Sequence, residues 1–301
     1  MLTVFLVELR TIDVGVPLRY ADYGGDGPAI VLVHGLGGIH LNWMRLAPEL
    51  VRHGRVLVPD LPGFGGTPPV PGRTSLETLQ AAVGRFIDAV APGPITLGGN
   101  SLGGVLALLT AASRPARVQR LLLFSPAVPH AWFEPFDFDL FMTMGTAMLP
   151  GIGPASVQVR PSMLGPERLV KEMMATMTYD RRRIPEDVFR AHVDEARARM
   201  DRPWIGAAFT DALRSLSWLL LDRLRFANII RSIESPTLVF AGERDRYVAT
   251  RSVRDACELN PRFVFRSWHD VGHVPQLEVP ERVIVEIERF FRLHPATGVA
   301  A

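Results

Sequence analysis

The sequence offers its clearest chemistry at Gly99-Asn100-Ser101-Leu102-Gly103, which satisfies G-x-S-x-G between a short apolar run and a helical pattern. In that context the serine stands on a tight strand–turn–helix corner with its hydroxyl exposed. Glycines flank it because side chains there would meet neighbouring elements. A helix opening at Leu102 adds positive potential beside the hydroxyl. Serine is a poor nucleophile until a base takes its proton, and eight histidines are available. His273, in Asp270-Val271-Gly272-His273-Val274-Pro275, follows the last strand-like run and precedes the last helix. His34 lies in a glycine-rich loop and reads as structural there, while His40, His53, His130, His192, His269 and His294 lack comparable context. A histidine base needs a carboxylate to hold its tautomer. Asp245, in Ala-Gly-Glu-Arg-Asp-Arg-Tyr-Val directly after a strand-like run, supplies one, and Glu243 is the weaker alternative. Acyl transfer also needs amides aimed at a developing oxyanion. The backbone N–H groups of Leu36, in His34-Gly35-Leu36-Gly37-Gly38, and of Leu102 are the candidates. Such chemistry needs no cofactor and no metal; the metal-binding HEXXH and phosphate-binding G-x-x-x-x-G-K-[ST] patterns are absent.

These residues require a scaffold, and the hydrophobic pattern describes one. Eight strand-like runs occur: TVFLVEL, PLRYADYG, residues 29–33, 55–58, 94–98, 121–124, 237–241 and 263–265. Compact apolar runs suit strands buried on both faces of a parallel sheet. Helical patterns alternate with them at about 41–51, at 75–90 with Ser75 as N-cap, after Ser101 as far as Pro115, at 251–259 and in PERVIVEIERFFRL. Alternation of this kind predicts α/β class, with right-handed crossovers and a mostly parallel eight-stranded sheet flanked by helices. Between 129 and 232 strand-like runs vanish, and Pro150, Pro154, Pro161, Pro166, Pro185 and Pro203 divide the segment into short helices. The reading is an α/β core of residues 1–128 and 233–301. A helical cap, 129–232, is inserted in it over the edge where open α/β sheets place their sites.

Composition narrows the function classes. The 301 residues are 48% hydrophobic and 21% charged, with a formal charge of +2. That suits a folded globular chain and no nucleic-acid partner, since the one cationic run, Arg181-Arg182-Arg183, reads as a solvated loop. A single cysteine, Cys257, excludes an intramolecular disulfide. The N-terminus alternates like a strand, and no stretch reaches the roughly 20 apolar residues of a membrane span. A soluble, cytoplasmic protein with a small-molecule substrate is expected, with a homodimer as the oligomeric guess.

Taken together, HGLGG, DLPGFGGT, GNSLGG, GERDRYV and GHVPQLEVPE resemble the α/β-hydrolase fold superfamily, over about residues 15–128 and 233–294. The resemblance implies a serine hydrolase with the catalytic set Ser101, Asp245 and His273. It excludes the haloalkane dehalogenase and epoxide hydrolase branches, whose nucleophile is aspartate. Cofactor-free haloperoxidase-like esterases fit. Asn100 before the serine is similar to the meta-cleavage C–C hydrolases, which carry Gly-Asn-Ser-Met-Gly-Gly. Those enzymes place tryptophan after the histidine and an arginine in the cap, where this chain has Val274 and, by rough alignment, His192. Ester hydrolysis of a small to medium apolar substrate is therefore the leading expectation. C–C hydrolysis, or a non-catalytic small-molecule binding protein on the same fold, are the alternatives. Met142, Met144, Met148, Met163, Met173, Met174 and Met177, with Phe136, Phe138 and Phe141, suggest either a deformable apolar cavity or a small helical core. Trp43 would wall the acyl site or pack beneath it. Trp43, Phe136, Met142 and Val274 are the substrate-contact candidates, and Trp204 and Trp218 are read as cap core.

Overall fold

The structure, a computed structural model, describes residues 7–130 and 138–296. Its strands are β1 (Glu8–Asp13), β2 (Pro17–Gly24), β3 (Ile30–Val33), β4 (Val56–Pro59), β5 (Ile95–Asn100), β6 (Val118–Phe124), β7 (Thr237–Gly242) and β8 (Phe263–Trp268). They form one sheet in the order β1-β2-β4-β3-β5-β6-β7-β8. β2 pairs antiparallel with both β1 and β4, and every later pair is parallel. The expected α/β class and eight-stranded sheet are therefore present.

The apolar runs work by parity, because successive side chains in a strand point to opposite faces. Val31, Val33, Leu121, Leu123, Val239 and Ala241 enter one core cluster. Their neighbours Ile30, Leu32, Leu122, Phe124, Leu238 and Phe240 enter the other. Twelve helices lie among the described residues: α1 (Ala47–Leu50), α2 (Leu76–Val90), α3 (Leu102–Ser113), α4 (Phe138–Met148), α5 (Ile152–Leu164), α6 (Pro166–Met177), α7 (Glu186–Arg199), α8 (Ile205–Leu221), α9 (Arg223–Ser232), α10 (Thr250–Cys257), α11 (Pro275–Glu278) and α12 (Pro280–Leu293). α2 and α3 contribute to the first cluster, and α1 and α12 to the second. Ser75 caps α2 as expected, accepting from the Thr78 amide while the Thr78 side chain accepts from the Ser75 amide.

Several local expectations are corrected. The first strand is Glu8–Asp13, overlapping the expected TVFLVEL run only at Glu8 and Leu9, and residues 1–6 lie outside the described residues. The helix expected over 41–51 is instead a 3-10 turn, the single turn α1 and a second 3-10 turn. Pro48 removes a donor there, and Asn42 turns back to accept the Ile39 amide at 2.7 Å. Pro161 does not end a helix but lies inside α5, three residues before its end at Leu164. The arginine run is only partly solvated: Arg182 is exposed, but Arg183 reaches the Asp270 carbonyl and carboxylate at 2.6 Å each. Trp218 is 73% exposed on α8, so it is not core.

Of the six helices between β6 and β7, α6 and α7 have a core of their own, built from Val170, Met174, Val188, Val193 and Ala196 and closed by Val274 and Leu277. The last two of the six are shared with the sheet, since Ala212, Leu216 and Leu219 of α8 and Phe226 and Ile230 of α9 lie in the first sheet cluster. No helix among the described residues is long and apolar enough to cross a membrane.

Candidate active site

β5 delivers Ser101 directly into α3. The serine has φ 53° and ψ −117°, a conformation side chains rarely adopt. Its amide donates to the Phe124 carbonyl at 3.0 Å, which holds the corner against β6. The flanking glycines are required by contact: a Cβ on Gly99 would stand 2.1 Å from the Gly103 carbonyl, and one on Gly103 2.2 Å from that of Val33.

β7 delivers Asp245 in a tight turn whose amides fix the carboxylate. Its Oδ1 accepts from the Tyr247 amide at 2.7 Å and the Val248 amide at 3.0 Å. Its Oδ2 lies 2.7 Å from Nδ1 of His273, with both side chains buried. A carboxylate can only accept here, so Nδ1 carries the proton and Nε2 is left basic. Glu243, the alternative carboxylate, is exposed and accepts from the Ser267 hydroxyl at 3.0 Å. Further contacts hold the His273 loop: its amide donates to the Met177 carbonyl at 2.7 Å, the Gly272 amide to the buried carboxylate of Glu278 at 2.8 Å, and the Tyr247 ring lies 4.8 Å from the imidazole.

Asn100 joins these parts. Its side-chain amide donates to the Phe124 carbonyl at 2.9 Å and to the His273 carbonyl at 3.1 Å, tying the serine strand to the histidine loop. Asn100→Ala strands the buried His273 carbonyl, at a cost of about 1–3 kcal/mol, while the Phe124 carbonyl keeps the Ser101 amide. A lower unfolding midpoint and a roughly tenfold fall in kcat are expected, the latter from a misplacement of under an ångström. Unchanged kinetics alongside a lowered midpoint would assign Asn100 to stability alone.

Ser101, Asp245 and His273 border one cavity of about 1310 Å³. Among the described residues no hydrogen bond links Ser101 to His273, a gap of the kind that closes when substrate binds. Gly35 passes over the serine, where a Cβ would be 3.2 Å from that of Ser101. Among the described residues the Leu36 and Leu102 amides have no acceptor, and that of Leu102 is the first of α3. Both are available to an oxyanion.

His34 supports this loop as the sequence reading expects. Nδ1 faces the Gly35 carbonyl at 2.8 Å, and Nε2 accepts the Leu61 amide at 3.0 Å. His192 is buried in α7 with Nδ1 2.8 Å from the Val188 carbonyl, and it does not border the cavity. Burial pushes both imidazoles down to about 4. Because their folded values lie below the ordinary 6.5, the unfolded chain binds more protons between the two, and stability is lost as pH falls through that window. Denaturant unfolding at pH 7 and pH 5 is expected to differ by about 2 kcal/mol for each histidine. His192→Leu should remove its share of the difference, and an equal difference in that variant would refute the assignment.

The substrate-contact candidates fare less well. Trp43 is fully buried beneath the sheet, its ring 5.0 Å from that of Phe124, and does not border the cavity. Met142 is 51% exposed on α4. Val274 is buried in the core of α6 and α7 and does not border the cavity. Phe136 lies outside the described residues. Of the methionines, Met144, Met173 and Met177 line the cavity, Met148 and Met163 are exposed, and Met174 is core. Lining residues that the sequence reading missed include Met200, Phe209, Tyr247 and Arg199. Only Tyr247 carried a signal, its position two residues beyond Asp245. Among the described residues no group of three His, Cys, Asp or Glu side chains is placed to hold a metal ion.

A family model described as alpha/beta hydrolase fold matches residues 28–280. The chain is 30% identical over 269 residues to a 2-hydroxy-6-oxo-2,4-heptadienoate hydrolase of Pseudomonas putida, covering 88% of each sequence. It is 25% identical to Lipase 1 of Psychrobacter immobilis, over 90% of this chain and 80% of the lipase. Among solved structures, a meta-cleavage product hydrolase of Pseudomonas fluorescens superposes with a TM-score of 0.74 at 23% identity, covering 95% of this chain and 98% of the other. At that identity the likeness is one of fold.

Proposed function

The chain belongs to the α/β hydrolase fold family, and we propose that, as a hydrolase on this fold, it cleaves carboxylic esters of apolar substrates through an acyl-enzyme. Ser101 Oγ attacks the ester carbonyl as Nε2 of His273 takes its proton, and Asp245 stabilises the imidazolium through Nδ1. The Leu36 and Leu102 amides hold the oxyanion. The tetrahedral intermediate collapses, and the alcohol leaves with the proton from His273. Water, deprotonated by the same imidazole, then attacks the acyl carbon and releases the acid and Ser101. Residues 129–232 serve as the cap: Met144, Met173, Met177, Met200 and Phe209 give the cavity its deformable apolar wall.

One observation carries this reading: the 2.7 Å contact of His273 Nδ1 with Asp245, on the rim of the cavity that Ser101 enters at positive φ. A second reading, C–C bond hydrolysis of a vinylogous diketone, is favoured by the 30% identity to the heptadienoate hydrolase. Purified protein assayed with p-nitrophenyl esters of graded acyl length, and separately with 2-hydroxy-6-oxo-2,4-heptadienoate, separates the two. Ester turnover far above dienoate turnover supports the first reading, and the reverse ratio overturns it for the second.

A further inference from the structure

Glu278 closes the single turn α11 that follows His273, and its carboxylate is fully buried. A buried carboxylate keeps its charge only where donors gather on it. Here they come from two separate parts of the chain. Oε1 accepts the Asp180 amide at 2.9 Å and the Tyr179 amide at 3.1 Å. Oε2 accepts the Gly272 amide at 2.8 Å and lies 3.2 Å from the same Tyr179 amide. Gly272 immediately precedes His273, whereas Tyr179 and Asp180 belong to the stretch that leaves α6. The two stretches also meet as backbone. The His273 amide donates to the Met177 carbonyl at 2.7 Å, and a Cβ on Gly272 would stand 2.6 Å from that oxygen. Thr176 Oγ1 lies 3.1 Å from the hydroxyl of Tyr247, two residues beyond Asp245. Arg183 reaches the Asp270 carbonyl and carboxylate at 2.6 Å each and stands 3.6 Å from Glu278. The end of α6 thus holds both the histidine loop and the aspartate turn, and the same helix brings Met173 and Met177 to the cavity. Glu278 itself does not border the cavity.

We propose that Glu278 is a positioning residue for the reaction: its carboxylate clamps the His273 loop to the stretch 177–180, and so sets where the imidazole stands between Asp245 and Ser101. This deepens the functional reading above and rests on it for His273 as the base. The carboxylate form matters because both oxygens accept. In Glu278→Gln one of them becomes an NH2, which faces an N–H whichever way the amide turns, Gly272 on one side or Asp180 on the other. One end of the clamp opens while the side-chain volume is kept. A base displaced by under an ångström loses its hold on the transition state while binding along the cavity wall persists, which separates kcat from KM.

The test reads the base directly. The Nδ1 proton that His273 shares with Asp245 resonates downfield of the backbone amides in a proton NMR spectrum, and its absence from His273→Ala assigns it. In Glu278→Gln this line is expected to shift or vanish. The kcat for a p-nitrophenyl ester should fall by at least about tenfold, with KM within about threefold of the parent. Ile287→Val, in the core beneath α12, is the control for lost stability alone and should leave both line and kcat in place. An unmoved line in folded Glu278→Gln protein overturns the proposal, as does an unchanged kcat or an equal effect in Ile287→Val. Should Glu278→Gln not fold, Arg183→Met, which cuts the second tie to the histidine loop at Asp270, decides by the same line. Failure of the ester reading would show instead as absent ester turnover in the parent protein, and the NMR line still answers there.

Discussion

Ser101→Ala is expected to lower kcat by about a million-fold on any ester that the parent protein cleaves, leaving only what binding and the oxyanion amides supply. The loss is confined to chemistry. Alanine keeps the Cβ that already sits at φ 53°, and the Ser101 backbone amide still bonds to Phe124. The hydroxyl makes no hydrogen bond among the described residues, so its removal strands no partner. Unfolding free energies of parent and variant should agree within about 0.5 kcal/mol. A stopped-flow assay with a p-nitrophenyl ester reads both phases: the parent releases a burst of nitrophenol if deacylation is slow, and the variant releases none. Residual activity within tenfold of the parent would remove Ser101 from the mechanism.

The second large effect is expected from Asp245→Asn, a fall of about ten-thousand-fold in kcat with little change in fold. The asparagine carbonyl can still accept the Tyr247 and Val248 amides that now bond Oδ1. Its NH2 then faces Nδ1 of His273, which must become the acceptor, so the ring proton moves to Nε2 and no base faces the serine. Glu243→Gln is the matched control, since Glu243 is exposed and contacts Ser267 rather than the imidazole. A comparable loss in the control with little loss in Asp245→Asn would exchange the two roles.

Both predictions concern residues whose placement was legible before any coordinates. Ser101, Asp245 and His273 each follow a compact apolar run, and such a run ends where a parallel strand leaves the sheet. Their convergence follows from the order of the strands. The glycines at 99 and 103 were equally legible, because only backbone contact explains so small a residue on each side of a serine.

The substrate wall was not legible in the same way. Trp43 and Val274 are apolar and close in sequence to the oxyanion loop and the histidine, yet both are committed to packing elsewhere. Hydropathy reports that a side chain leaves water and is silent on which element it meets. Met142 and Met144 differ by two positions on α4, one exposed and the other against the cavity, a distinction of helix phase that a polar-poor stretch does not encode. Arg183 illustrates the converse: within a run of three arginines it alone meets Asp270 and Glu278 from the far end of the chain.

Local pattern alone thus settled the α/β class, most of the strands and the glycine-flanked serine corner, because each depends on residues within a few positions of one another. Tertiary packing decided the cavity wall, the nearness of Asp245 rather than Glu243 to His273, and the tie from Asn100 to the histidine loop. Arg19 of β2 likewise meets Asp60, just after β4, and Glu195 of α7, groups that only folding brings together. Charge compensation depends on distance in space, and no spacing in the sequence measures it.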